Sequence, residues 1–168
     1  MKRYNILLLA TFVVCIVVAT TQAKYVWPRP SFIFQGSFSS YVDQSTFTIQ
    51  TNSSSQILQS AINRYLKQGL IFPFASVPLS AGDKPVLAQL YITVQSNSET
   101  LQLGVNESYN LTIAQSATYA NLSAVTIYGA MRGLETFSQL VDYDLSTQTY
   151  AVTTTPVQIQ DVPRFEWR

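Results

Sequence analysis

The stretch YGAMRGLETFSQLV, residues 128 to 141, constrains this chain more than any other. Counting Ile127 just before it, apolar side chains recur at Ile127, Ala130, Met131, Leu134, Phe137 and Val141. That is the i, i+3, i+4, i+7 spacing of one helical face, and it predicts an amphipathic helix over residues 125 to 142. Arg132, Glu135 and Gln139 occupy the other faces. A helix with a single apolar stripe must cover a second layer. Ala130 and Gly133 are small enough to let that layer approach closely.

The second layer is read from period two. Val86, Ala88, Leu90, Ile92 and Val94 alternate with Leu87, Gln89, Tyr91, Thr93 and Gln95, which predicts a strand with one buried face. Tyr109, Leu111 and Ile113 alternate in the same way with Ser108, Asn110, Thr112 and Ala114. Phe47 to Gln50 reads as a short strand, and Thr149 to Gln160 as a final strand in which Pro156 demands an edge or a bulge. A further helix is predicted near residues 54 to 68, with Leu58, Ala61, Ile62, Tyr65 and Leu66 at helical spacing, a serine-rich start suited to capping and Gly69 to close it. The opening YVWPRPSFIFQGSF carries two prolines among aromatics and suits an extended segment laid over a sheet. SAGDKP, residues 80 to 85, is a turn. The fold class that follows is α+β, a mostly antiparallel sheet with two helices packed on one face.

The N-terminus adds a compartment. Lys2 and Arg3 precede the apolar run from Ile6 to Ala19, and Thr21 and Ala23 put small residues at the two positions a signal peptidase inspects, so residues 1–23, cleaved after Ala23, read as a secretory signal. The run is shorter than the roughly 20 residues that span a bilayer, so no stable membrane anchor is expected after cleavage. Cleavage removes the sole cysteine, Cys15, and leaves 8 basic against 9 acidic residues. The remaining chain has no thiol and no histidine, which excludes a disulfide, a thiolate metal site and a Ser-His-Asp triad. Only 11% of residues are charged, far from the basic bias of a nucleic-acid partner, and no cofactor motif is present. Four sequons, at Asn52, Asn106, Asn110 and Asn121, suit the secretory pathway, and alternation places Asn110 on the polar side of its strand.

Candidate catalytic groups are few. Asp142 and Asp144 follow the last turn of a helix, where paired acids sit in solvent, and Glu107 lies inside a sequon and is expected to be exposed. Glu135 follows Arg132 by three residues, the spacing of an intrahelical ion pair. Tyr109, Tyr128, Phe137 and Trp167 read as core or interface aromatics rather than sugar platforms.

Tyr128 to Val141 closely resembles the helix that joins the N-terminal domain to the catalytic barrel in β-N-acetylhexosaminidases of glycoside hydrolase family 20. DVPRFEWR, residues 161 to 168, looks like the segment entering the first barrel strand. Val26-Trp27-Pro28 resembles the start of the mature eukaryotic enzymes, and ESYNLTI, residues 107 to 113, their strand before the helix. The resemblance implies three regions: a signal peptide over residues 1–23, an N-terminal α+β (zincin-like) domain over 24–160, and the start of a truncated (β/α)₈ barrel over 161–168. A complete barrel would need about another 250 residues. Full-length members release terminal N-acetylglucosamine or N-acetylgalactosamine from glycoconjugates, with the substrate's acetamido oxygen as nucleophile and an Asp-Glu pair on the barrel. By motif position Arg168 matches the arginine that binds hydroxyls of the terminal sugar, a role open to it only with a barrel. The resemblance implies a lysosomal or extracellular location, and a catalytic barrel as partner, in cis if the chain continues. It implies no hydrolysis by this chain alone. Some animal members staple the domain with a disulfide, which this chain cannot form. The alternative is a freestanding secreted module that binds glycans or a protein.

Overall fold

The computed structural model describes residues 24–79 and 85–165. The signal-peptide expectation over residues 1–23, most of the turn at 80–85, Trp167 and the Arg168 assignment lie outside the described residues. The described elements are β1 (Phe32–Val42), β2 (Thr48–Thr51), α1 (Gln56–Lys67), β3 (Gln89–Ser96), β4 (Tyr109–Ile113), β5 (Tyr119–Thr126), α2 (Ile127–Leu140), β6 (Asp142–Asp144) and β7 (Thr149–Asp161). One sheet holds every strand in the order β1-β7-β4-β5-β3-β2, and β6 pairs with the first residues of β7. Four pairings are antiparallel, while β2-β3 and β3-β5 are parallel.

Pairing directions explain why both helices share a face. The antiparallel steps from β5 to β4 and from β4 to β7 make β5 and β7 point the same way, as do β2 and β3. Each helix is therefore a crossover between strands of the same direction, and both crossovers step the same way across the sheet. With the usual right-handed connection both land on one side. There α1 and α2 touch each other, and α2 also rests on β3, β4 and β5.

The inner face is apolar. Leu90, Ile92 and Val94 of β3, Tyr109, Leu111 and Ile113 of β4, and Val157 and Ile159 of β7 are all buried. From above, α1 buries Leu58, Ala61 and Ile62, and α2 buries Ile127, Ala130, Leu134 and Phe137. Phe137 stacks on Phe47 at 5.7 Å between ring centroids, Phe47 meets Phe72 edge-on, and Phe72 meets Tyr150 at 5.0 Å. The Tyr150 hydroxyl accepts from Phe74 N and donates to Phe74 O, pinning the loop after α1 to β7.

Both helices start as their sequences dictate. Ser55 Oγ accepts from Leu58 N, and Thr126 Oγ1 accepts from Gly129 N. Gly69, at φ +76°, follows the last turn of α1 in the left-handed region where a side chain is disfavoured.

Three expectations need correction. The alternation assigned from Val86 breaks at Leu87, which is fully buried. There the chain makes only a bridge from Val86 to Tyr41, and the strand proper starts at Gln89. The aromatic opening contributes β1 to the sheet instead of lying across it. Strand β5 went unforeseen, and the second helix begins at Ile127 rather than residue 125. The inward positions of β5 are Ala120, Leu122 and Ala124, two of them too small to give a clear alternating signal. They are small because α2 lies directly over them: a Cβ on Gly129 would sit 3.2 Å from the Ala124 methyl. Asp142 and Asp144 follow the last turn of α2 and remain accessible, as expected, and in addition form β6. Pro156 lies just past the last β4 pair, Ile113 with Val157, and on its β1 side the expected bulge is realised. The β1 register slips between Gln35 and Phe38 opposite Pro156, and Gly36 fits there because a Cβ would lie 2.4 Å from Thr155 O.

Two glycines separate packing from helix propensity. A Cβ on Gly129 would lie 2.4 Å from the Ser108 carbonyl oxygen, which is backbone, whereas one on Gly133 would strike the Leu122 side chain at 2.1 Å. Leu122 can rotate away, at some cost to the core; Ser108 cannot. Gly129→Ala should cost about 2–3 kcal/mol, and Gly133→Ala about 1 kcal/mol after the helix gains Ala propensity. Urea unfolding of the two variants checks the order.

Candidate functional site

The exposed side of the helix layer forms a groove of about 520 Å³ between α1, α2 and the loop before β4. Its walls include Tyr65, Tyr128 and Met131 from the helices and Leu101 and Leu103 from the loop. Leu101 and Leu103 are 67% and 70% exposed, a cost in water unless something covers them. Tyr128 is half-buried, and its hydroxyl donates to Glu99 O. Burial pushes the Tyr65 phenol above its ordinary pKa, with Glu135 adding to the effect and Arg64 and Arg132 opposing it.

At the groove floor, Arg132 Nε donates to Glu107 Oε2 at 3.0 Å, and Arg132 Nη1 lies 3.9 Å from Glu135 Oε2. The expected intrahelical pair is present but is the longer of the two contacts. Glu107 is not exposed as its sequon position suggested: its side chain is only 16% accessible because the chain entering β4 tucks beneath α2, where Gly129 lets it pass. One guanidinium thus holds both carboxylates.

Every other described carboxylate is also engaged. Asp43 and Asp144 accept from Ser45 and Ser146 in tight turns. Glu99 accepts from Ser55 Oγ at 2.6 Å and from Ile57 N at 3.3 Å, completing the α1 cap. Asp142 pairs with Lys24, and buried Asp161 accepts from Ser31 N at 3.2 Å. Among the described residues no cluster of His, Cys, Asp or Glu could hold a metal ion.

The remaining sequence candidates fall in different places. Tyr109 and Phe137 are core residues; the Tyr109 hydroxyl and Thr136 Oγ1 are 2.5 Å apart. Asn110 and Asn121 are exposed on the outer face of the sheet, opposite the helices. Asn106 Oδ1 accepts from Ser108 N and Oγ within its own sequon. The Asn52 amide brackets Val94, accepting from its N at 2.9 Å and donating to its O at 3.0 Å. Glu99 at the α1 cap and Gln139, which accepts from Trp27 N and donates to Trp27 O, were not singled out from the sequence. Their partners lie 44 and 112 residues away, beyond any local pattern.

A sheet roofed by two helices, with its acids committed to turns, caps and ion pairs, defines a packing domain of α+β class. A family profile described as beta-acetyl hexosaminidase like matches residues 26–140, and the chain belongs to that family, corresponding to the N-terminal domain of the family-20 hexosaminidases. It is 36% identical over 164 residues to beta-hexosaminidase subunit A1 of Dictyostelium discoideum, covering 98% of this chain and 29% of that protein. To beta-hexosaminidase 1 of Arabidopsis thaliana it is 36% identical over 159 residues, covering 86% of this chain and 29% of that one. The chain thus spans less than a third of these relatives. Among solved structures, a Flavobacterium johnsoniae chitobiase shares the fold with a TM-score of 0.58 at 22% identity, over 83% of this chain and 21% of the chitobiase.

The caps give a pH signature. Hydrogen bonds from Ser55, Ser45 and Ser146 hold the Glu99, Asp43 and Asp144 carboxyls below their ordinary values. A carboxyl with a depressed folded pKa adds stability that is complete above its unfolded pKa and is lost as pH falls through the folded one. The melting temperature should therefore hold from about pH 7 to about pH 5 and drop below about pH 4. Glu99→Gln should flatten part of that drop, as read by thermal melts across the range.

Proposed function

We propose that this chain is the non-catalytic N-terminal domain of a secreted or lysosomal β-N-acetylhexosaminidase, whose full length releases terminal N-acetylglucosamine or N-acetylgalactosamine from glycoconjugates. The carrying observation is the commitment of all seven described carboxylates to turns, caps or ion pairs. A retaining, substrate-assisted glycosidase needs two carboxyls facing one sugar. In this reading a (β/α)₈ barrel following in cis supplies them, residues 161–168 lead into it, and Arg168 reaches the sugar.

The domain's own task is then mechanical. The groove along α1 and α2, with its exposed leucines and its Arg132 ion pairs, is the side offered to the barrel, while the inward stripe of α2 seals the sheet. Entry to the secretory pathway rests on residues 1–23 and on the sequons.

Purified residues 24–168 should not release chromophore from an aryl N-acetylglucosaminide above a buffer blank, whereas the same segment followed by a family barrel should. Turnover by the segment alone would falsify the scaffold reading.

A further inference from the structure

The outer face of the sheet is largely polar and lies opposite both helices, yet it bears a tyrosine pair. Tyr91 of β3 and Tyr119 of β5 are 38% and 48% exposed, and their rings meet edge-on at 5.7 Å between centroids. Asn121 lies two residues after Tyr119 on the same face, and the parallel register sets it directly beside Tyr91. On its other side the antiparallel register sets Thr112 of β4. Asn121 therefore stands in a corner with aromatic rings along the strand and across it.

We propose that Asn121 carries an N-linked oligosaccharide whose first sugar packs on the Tyr91–Tyr119 pair. The proposal rests on the secretory reading given above. The donor is an oligosaccharide joined to a polyprenyl pyrophosphate. The Asn121 amide nitrogen forms a bond to the anomeric carbon, the bond from that carbon to the phosphate oxygen breaks, and the polyprenyl pyrophosphate leaves as the amide loses a proton. A pyranose ring presents an apolar C–H face, which suits a half-exposed aromatic ring, while its hydroxyls stay in water.

The other sequons lack this setting. Both polar atoms of the Asn52 amide are bound to Val94, where they continue the β2 edge. Asn106 is folded onto Ser108 in a turn. Asn110 is the diagonal neighbour of Asn121, since Asn110 faces Ser123 and Thr112 faces Asn121, but its lateral neighbours are Ser123 and Gln160 rather than aromatics. Asn110 can carry a sugar without a platform to hold it.

The test expresses the full chain in a eukaryotic secretory host, alongside a copy whose residues 1–23 are replaced by a foreign leader, and maps glycosylated peptides from cells and medium together. Glycan at Asn121 in both is the expected result. Glycan only with the foreign leader overturns the secretory reading of residues 1–23 and keeps the site; a secreted chain bare at Asn121 overturns the site and keeps that reading. No sugar with either leader overturns the site. Packing is read separately: Asn121→Gln should lower the melting temperature of the glycosylated protein by about 3 °C. In a Tyr91→Ser, Tyr119→Ser background the same change should have almost no effect. An equal shift in both backgrounds overturns the platform.

Discussion

The contact on which the structure depends is the close seating of α2 on β5 and the entry to β4. Gly129 lets the helix backbone pass the Ser108 carbonyl, Ala130 is fully buried, and Gly133 makes room for Leu122. That approach brings Ile127, Leu134 and Phe137 into the core, each fully buried. Full burial of such a side chain contributes about 1.5–3 kcal/mol, against about 1 kcal/mol for a helix cap. The stripe therefore decides where the helix lies, and the caps decide where it starts. From Phe137 the packing continues through Phe47 and Phe72 to Tyr150, so loops distant in sequence are fixed by one file of rings.

Charge is scarce, and it is used locally. Arg132 ties the chain entering β4 to the helix above it through Glu107, Glu99 ties the loop after β3 to the start of α1, and Lys24 with Asp142 fastens the N-terminal segment to β6. Each of these pairs joins segments that lie far apart in sequence. Glu107, Glu99 and Asp142 thus act as clips between them.

Much of this was legible in the residues. The spacing from Ile127 to Phe137 located α2, and alternation at Tyr109, Leu111 and Ile113 located β4 with Asn110 pointing outward. What escaped was hidden for physical reasons. Ala120 and Ala124 are inward positions trimmed to fit a helix, so β5 carried little hydrophobic contrast. Leu87 is fully buried and gives its backbone N–H to Tyr41 O, so the chain there is out of phase with β3 and extending the alternation back to Val86 misplaced it. Glu107 looked like a loop acid because its partner is 25 residues away on a helix, a pairing that exists only after the layers have closed.

The sheet also has a temporal order. Its first strand, β1, pairs along its length with its last, β7, with Phe32 opposite Gln160, while Tyr41 near its end also bridges Val86. A ribosome delivers β1 more than a hundred residues before the strand that receives most of it, so Phe32 to Phe38 gain their ladder partners only when nearly the whole domain has emerged. Ser31 then meets Asp161 and Val162, bringing the two ends of the domain together. Sealing this edge of the sheet is therefore among the last events in the folding of the domain.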